Sequence, residues 1–333
     1  MEQSRYINDL KAYYGSIVDN DSLKKSASGG AATVLAEMII REAGVVFGVG
    51  YSSDYKSAHY YCIRNIDDLD LIKGSKYITS EKKAMMDGTF IPLTDAVKKF
   101  LLQGKKVIFF GLGCDIALVK KFCQNNQICD DNLYCVSLIC HGPTLPIVQQ
   151  VFIEELTKKY DSRITYFSVK DKTVGWNTPY LHIEFENGSV YEKPFRESDY
   201  AYAFGHFSRT SCCNCKFKGE GHISDIILGD YWGISKNADG YNHYGVSAIL
   251  CRTAKGEELV KNIDATIFNL FEGDPHDIII HNPMYYRSRS AGKDHYAFKS
   301  NLTSKGLRYA VKKDCGFIKY YLMKIKRIII KNK

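Results

Sequence analysis

The sequence predicts an α/β fold with a mixed, largely parallel sheet core and a β-rich inserted or appended region. Three observations carry this. Short apolar runs such as VIFF (107–110) and LYCVSL (133–138) read as buried strands. Segments of helical periodicity alternate with them, as in a parallel α/β sheet. From about residue 161, strand-like segments follow one another through turns.

Taken in order, residues 1–25 read as a short helix and a polar lead-in. ASGGAATVLAEMIIREAG is a glycine turn opening an amphipathic helix, with Val34, Leu35, Met38 and Ile39 at helical spacing and Gly44 as its stop. VVFGVGY and AHYYCIR are strand-like. LTDAVKKFLLQGKKVIFFGLGCDIALVKKF reads as helix, strand, turn, helix, with Thr94 as cap and Gly104 as end of the first helix. NLYCVSLICHG is a second buried strand ending at Cys140, and PIVQQVFIEELTKKY a further helix. RITYFSVKDK, YLHIEFENGSVYEKPF and DIILGDYWGI are strand-like, with ENG as a hairpin turn and DKTVGWN as a polar loop. GVSAILCRTAKGEELVKNI returns to strand, turn and helix. The tail, CGFIKYYLMKIKRIIIKNK, is basic and amphipathic.

At 333 residues the chain suits one large domain or two modest ones. The formal charge of +8 is mild and scattered, which argues against nucleic acid as a partner. The N-terminus has no apolar h-region, and no run approaches a membrane span of about 18 residues. Eleven cysteines in a chain with cytoplasmic character favour metal or redox chemistry over a disulfide framework.

Four of those cysteines stand beside turn-forming residues: Cys114 in GLGCDIA, Cys140 in LICHG, and Cys212 and Cys215 in SCCNCKF. Cys114 and Cys140 follow predicted strands, and ligands of parallel sheets gather at the C-terminal strand ends. A CxxC turn can aim two sulfurs at one metal. Four thiolates suit a zinc ion or an iron–sulfur cluster. A local zinc knuckle lacks its second pair, because the next cysteine is Cys251 in a strand and His206 and His222 lack ligand spacing. Cys114 and Cys140 would equally serve as small buried hydrophobes. Cys62, Cys123, Cys129, Cys135, Cys251 and Cys315 read as ordinary residues.

Ser28, Gly29 and Gly30 open a helix, where free N–H groups can seat a phosphate, or where serine simply caps and glycine packs. Ser75, Lys76, Tyr77 and Thr79 in KGSKYITS offer a cation, hydroxyls and a ring, or form a solvated loop. Asp225 and Asp230 bracket an apolar strand before Trp232. They would orient Arg209 or Lys218, bind a cofactor, or sit at a hairpin edge.

In fixed order, these motifs resemble the beta subunit of coenzyme F420-reducing hydrogenase and its relatives, including a formate dehydrogenase subunit and 7-hydroxymethyl chlorophyll a reductase. The match runs through ASGG (27–30), GSKY (74–77), GKKVIFFGLGCDIALVKKF (104–122) and LICHGP (138–143). It continues with KDKTVGWN (170–177), SCCNCKFKGEGHISDIILGDYWGI (211–234) and GVSAILCRTAKGEEL (245–259). The resemblance implies FAD on an α/β core and a 4Fe-4S cluster held by Cys114, Cys140, Cys212 and Cys215. It places Ser28, Gly29, Gly30, Ser75, Lys76 and Tyr77 at the flavin. It divides the chain into a lead-in (1–25), a flavin-binding part (26–160), a part with the CxxC and β-rich region (161–300) and the basic tail (301–333).

Two departures stand out. Many relatives begin with a ferredoxin-like CxxCxxCxxxCP module, whereas the first cysteine here is Cys62. Electrons are therefore expected from a separate donor such as a ferredoxin. Gly113 and Asp115 replace the usual proline and glutamine around the first ligand, and a carboxylate there would lower a cluster's potential. The expected function is an iron–sulfur flavoprotein oxidoreductase. It would pass electrons to an organic acceptor or glycan precursor in cell-surface polysaccharide synthesis, with His141 either a proton donor or a structural turn residue. The expected location is cytoplasmic, and the tail would either dock on the core as a C-terminal helix or make peripheral contact with the inner membrane face. The alternative is a zinc-stabilised, non-enzymatic scaffold protein of a glycan pathway. A glycosyltransferase lacks a DxD motif in a suitable loop.

Overall fold

The computed structural model describes residues 7–290 and 294–322. Its strands, in chain order, are β1 (Lys11–Ile17), β2 (Val45–Tyr51), β3 (Ala58–Ile63), β4 (Lys83–Met86), β5 (Thr89–Pro92), β6 (Val107–Gly111) and β7 (Leu133–Leu138). They continue with β8 (Ile164–Asp171), β9 (Tyr180–Phe185), β10 (Val190–Pro194), β11 (Ile226–Asp230), β12 (Ser247–Cys251) and β13 (Phe268–Glu272). The helices are α1 (Asn20–Lys25), α2 (Ala31–Arg41), α3 (Leu93–Leu102), α4 (Gly113–Asn125), α5 (Pro146–Tyr160) and α6 (Asp199–His206). After them come α7 (Ala254–Lys261), α8 (Pro275–Ile280), α9 (His295–Lys305) and α10 (Leu307–Cys315).

Ten strands form one mixed sheet in the order β13-β1-β12-β11-β7-β6-β2-β3-β4-β5. At its centre β11, β7, β6 and β2 run parallel. The flanks pair antiparallel, except for the parallel β3–β4 contact. Every residue of β6 is buried, which explains its uninterrupted apolar run. Its alternate side chains serve opposite faces. Ile108 and Phe110 pack toward α2, and Val107 and Phe109 pack toward α3 and α4.

The β-rich region is a separate antiparallel sheet, β10-β9-β8, with the expected turn at 186–188. It packs with α5, α6, α9 and α10 around Phe152, Phe167, Tyr200 and Phe298. DIILGD does not belong to it. As β11 it joins the main sheet beside β7.

Several local readings change. Residues 11–17 are not part of a helical lead-in but an internal strand between β13 and β12. Pro92, not Thr94, stands at the N-cap of α3. Helix α2 ends at Arg41, and Ala43 takes the left-handed turn (φ 56°) before Gly44. DKTVGWN gives its Asp171 to the end of β8 and forms a loop after it, but Trp176 in that loop is only 2% exposed. The 300/301 boundary falls inside α9, whose Phe298 and Leu302 are buried, and α10 follows with Leu307, Ala310 and Val311 buried. Residues 323–333 of the tail lie outside the described residues, as do residues 1–6 of the lead-in. Among the described residues no helix is long and apolar enough to cross a membrane.

Candidate functional site

Three chain segments deliver the four cysteines. Strand β6 ends at Gly111 and α4 begins at Gly113, so Cys114 occupies the first turn of that helix. Strand β7, the neighbour of β6, ends at Leu138, and Cys140 follows two residues on. Cys212 and Cys215 come from the α6–β11 connection, in and just after the 3-10 turn Thr210–Asn214. Parallel pairing puts the ends of β6 and β7 on one edge of the sheet, where ligand sites of such sheets form.

Cys114, Cys140, Cys212 and Cys215 line one cavity, together with His141, Arg209, Lys218 and Arg289. Cys213 turns elsewhere, its Sγ 3.7 Å from the Ser290 carbonyl. Cys123, Cys135 and Cys251 are core residues, between 0% and 2% exposed. None of the eleven cysteines is in a disulfide.

Each of the three cations ties cysteine-bearing segments together. Arg209 donates from Nη2 to the Cys114 Sγ at 3.7 Å and also reaches the Cys212 thiol. Arg289 donates to the His141 carbonyl (2.8 Å) and the Phe204 carbonyl (2.5 Å), and its N–H bonds the Cys212 carbonyl (3.2 Å). Lys218 donates to the carbonyls of Cys140 and Met284. Arg209 and Lys218 therefore face the thiols rather than Asp225 or Asp230, as the sequence had suggested.

Burial pushes the Cys114 thiol up to about 11, with Asp115 adding to the effect and Arg209 opposing it. Burial also raises Cys140, against the N–H of Gly142, which donates to its Sγ at 3.2 Å. Thiolate ligands lose their protons to the metal they bind. The three cations are placed to offset the charge that results. Among the described residues, no group of three or more His, Cys, Asp or Glu side chains stands close enough to hold a metal ion. The observation in favour of a cluster is the donor set itself: four thiols around one cavity with three cations.

Asp115 is not a bare carboxylate beside Cys114. It is 1% exposed, ion-paired with Lys82 at 2.6 Å, and accepts from the Tyr60 hydroxyl at 2.8 Å. Its Oδ2 also caps the Leu112 N–H at the start of α4 (3.4 Å). The positive partner offsets the lowering of potential that the charge alone would cause.

A second polar region adjoins the cavity. Thr144, just past the Cys140 turn, bonds the Tyr77 carbonyl with its N–H and accepts from the Thr79 N–H, both at 3.0 Å. The Ser75–Lys76–Tyr77 segment is thereby stitched beside Cys140 and His141. The Tyr77 ring stacks on Phe204 (4.2 Å, 13°), and its hydroxyl bonds Lys170. Lys170 pairs with Asp230 at 3.0 Å. Asp230 accepts from the Trp176 Nε1 at 2.9 Å, and Trp176 stacks on Trp232 (4.8 Å, 5°). Asp225 has a structural role, accepting from the Cys135 N–H (2.8 Å) and the Thr253 hydroxyl (2.9 Å).

Three lysines mark this region, Lys172 buried and Lys76 and Lys170 half-buried. Burial would lower Lys170, but Asp230 and Tyr77 override it and hold the ammonium above the ordinary range. Lys76 and Lys172 are pushed down to about 7 by burial. Lys76 donates to the carbonyls of Lys73 and Gly74, and Lys172 to those of Leu23 and Ser28 (both 2.7 Å). Burial, then Lys218, pushes His141 down to about 4, so its ring is neutral near pH 7.

The Ser28–Gly30 turn is engaged within the chain. Gly29 N–H bonds the Ser247 Oγ (2.9 Å), Gly30 N–H the Ala27 carbonyl (2.9 Å), and the Ser28 hydroxyl the Val246 carbonyl (2.8 Å). A Cβ at Gly29 would lie 2.1 Å from the Gly15 carbonyl oxygen, so close packing requires that glycine. The turn joins the lysine region through Lys172, which holds the Ser28 carbonyl. The sequence reading missed Arg289, Lys170, Lys172 and Trp176. Charged residues at the end of an otherwise strand-like run, VKDK (169–172), are the signal it could have used for the two lysines.

The family model that matches residues 104–273 describes the C terminus of the coenzyme F420 hydrogenase/dehydrogenase beta subunit. That span holds all four cysteines and is about half of the chain. No curated protein matches the sequence. Among solved structures, the fold is similar to a chain of the F420-reducing NiFe hydrogenase complex from Methanosarcina barkeri. The TM-score is 0.54 at 18% identity, covering 83% of this chain and 88% of that one.

Proposed function

The chain belongs to the coenzyme F420 hydrogenase/dehydrogenase beta-subunit family, and from that premise we propose that it is an oxidoreductase with an iron–sulfur cluster and FAD. Cys114, Cys140, Cys212 and Cys215 would hold a 4Fe-4S cluster, and the observation that carries this is their shared cavity with Arg209, Lys218 and Arg289. When bound, such a cluster exchanges single electrons, and a flavin collects two for delivery to an organic molecule.

The chain's own residues supply charge, orientation and proton control. Arg209, Lys218 and Arg289 offset thiolate charge and fix the three ligand segments against one another. Lys76 and Lys172, cationic only at or below about neutral pH in this burial, gain from an anion such as a flavin diphosphate. Ser75 and Tyr77 would sit against the flavin, with Ser28, Gly29 and Gly30 shaping the wall held by Lys172. His141, neutral, lining the cysteine cavity and within the field of Asp230 and Lys170, would relay a proton by accepting at one ring nitrogen and releasing at the other.

The electron donor would be a separate protein such as a ferredoxin, in keeping with a structural neighbour that works inside a multisubunit hydrogenase complex. The acceptor would be organic, a glycan precursor being the class proposed. The cytoplasm is the proposed compartment, since it keeps cysteines that form no disulfide reduced.

The test is anaerobic purification followed by a visible spectrum and by iron, sulfide, zinc and flavin analysis. The expected result is about four irons per chain with a 4Fe-4S absorption shoulder and flavin bands. Cys114→Ser and Cys212→Ser should each strip the iron. A colourless protein carrying zinc alone overturns the redox reading.

A further inference from the structure

The cysteine cavity and the Ser75–Tyr77 segment meet at one arginine and one ring. Arg289 closes on three segments. Its backbone N–H bonds the Cys212 carbonyl (3.2 Å), its Nε the His141 carbonyl (2.8 Å) and its Nη1 the Phe204 carbonyl (2.5 Å). The same guanidinium lies over the Phe204 ring, 5.4 Å from its centroid. Phe204, on α6, in turn stacks on Tyr77 at 4.2 Å and 13°. The Cys140 turn packs tightly against this junction. Gly142 has a φ of 82°, and a Cβ there would stand 3.2 Å from Arg289 Nε, 3.4 Å from the Cys212 Cβ and 3.5 Å from the Ser208 Cβ. Close-packed groups transmit a displacement rather than absorb it.

The thiols themselves call for such a displacement. Cys114, Cys140, Cys212 and Cys215 line one cavity, yet among the described residues no three such groups stand close enough to hold a metal ion. Zinc, for one, holds its thiolate sulfurs at about 2.3 Å. A metal in this cavity therefore has to draw cysteine-bearing segments inward, and Arg289 is bonded to two of the three. The backbone supplies a second join. Thr144, four positions after Cys140, bonds the Tyr77 carbonyl and the Thr79 N–H, both at 3.0 Å, and pairs with Ser208 on its other side. Thr144 fixes the register of the Tyr77 backbone. The plane of the Tyr77 ring follows Phe204, since Phe195, the other ring against it, meets it tilted by 58°.

We propose that Arg289 and Phe204 are positioning residues that carry this inward movement to the Tyr77 ring, so that a metal in the cysteine cavity sets the pose of the segment assigned to the flavin. The proposal rests on the reading of the four cysteines as a metal centre and adds to it a coupling between two sites that share no ligand. A centre filled first leaves less of the Tyr77 segment to be ordered when the second ligand binds.

The experiment is hydrogen exchange on the full chain, kept reduced, with and without an equimolar amount of Zn2+, which four thiolates hold without redox chemistry. Two stretches are read, 209–216 at the thiols and 73–80 across the stack. In wild type, Zn2+ should slow exchange in both, by about fivefold or more at the Thr79 amide, which bonds the Thr144 carbonyl. In Phe204→Leu the slowing should persist in 209–216 and be lost from 73–80. Phe204→Tyr keeps a stacked ring and should recover it. Arg289→Lys keeps the charge but not the grip on two carbonyls, and should lose it. The response in 209–216 doubles as the control that each variant is folded. Slowing confined to 209–216 in wild type overturns the coupling and leaves the metal reading standing. No response to Zn2+ in either stretch overturns the metal reading, and the coupling with it. Undiminished slowing of 73–80 in Phe204→Leu overturns the role of the ring and leaves the backbone at Thr144 as the link.

Discussion

Arg209 donates a hydrogen bond from Nη2 to the Cys114 sulfur at 3.7 Å while also reaching Cys212, so one guanidinium spans thiols from two separate segments. A positive charge this close to two ligands favours the more negative, reduced state of any cluster they hold. Arg209→Met should therefore lower the reduction potential of the reconstituted protein, and Arg209→Lys should recover part of the loss. Potentiometric titration of the visible spectrum reads this directly. A potential equal in all three proteins refutes the role, whatever their stability.

The Lys82–Asp115 pair predicts an asymmetry. The Asp115 side chain is 2% exposed and that of Lys82 33%, so removing each partner leaves a different remnant. Lys82→Met strands a buried carboxylate and should cost about 3–5 kcal/mol. Asp115→Asn leaves a lysine that can turn to water and an amide that still accepts from Tyr60, and should cost about half as much or less. Urea unfolding midpoints at neutral pH measure both. Equal losses would refute the asymmetry and show that the stranded buried carboxylate does not set the cost.

How much of this was legible in the sequence follows from how local each feature is. The strands around VIFF and LYCVSL were readable because strands buried on both faces have to be apolar throughout. Cys114 and Cys140 were readable because turns follow those strands. Strand β1 was not. KAYYGSI mixes charge, rings and glycine, and its partners are β12 and β13, more than 230 positions away. The donors of the Ser28–Gly30 turn were correctly read as a helix start, but Ser247, supplied by β12, engages them. Arg209 was visible only as a charge near a CxxC. Its role depends on which of several distant anions or thiols the fold sets beside it, and no local pattern encodes that choice.

Lys76 and Lys172 predict a pH dependence of anion binding. Burial holds both near 7, below the ordinary lysine value of about 10.4. Only the protonated form attracts a phosphate, so affinity for FAD should fall as pH rises through 7. The limiting loss is about tenfold per pH unit for each lysine involved. Stability runs the other way. Between about pH 7 and 10 the unfolded chain binds more protons than the folded one, so the ligand-free protein should gain stability as pH rises across that window. Lys76→Met and Lys172→Met should each flatten both curves. Titration of FAD at pH 6, 7 and 8.5 provides the measurement, and pH-independent affinity in wild type would exclude these lysines as phosphate partners.

Trp176 and Trp232 are the two tryptophans of the chain, and they stack against each other beside the Lys170–Asp230 pair. Tryptophan emission, excited selectively over the tyrosines, is therefore a probe of this region. Burial would raise the Asp230 carboxyl, but Lys170 and the Trp176 N–H override it and hold it below the ordinary range. A depressed carboxylate contributes stability above its unfolded value of about 3.9 and loses it as pH falls through the folded value. A raised lysine contributes below about 10.4 and loses its share as pH rises through the folded value. The pair is thus at full strength between those limits, and acid should release the Trp176 contact first below about pH 4. Asp230→Asn leaves the half-buried Lys170 ammonium without its carboxylate and with the Tyr77 hydroxyl as its remaining partner, and should cost about 3 kcal/mol at pH 7. Lys170→Met in that background should restore part of it. The same variant should lack the acid transition in tryptophan emission that wild type shows. An Asp230→Asn protein with wild-type stability and an unchanged acid transition would place the pair outside the folding energetics and make Trp176 packing alone responsible for the geometry.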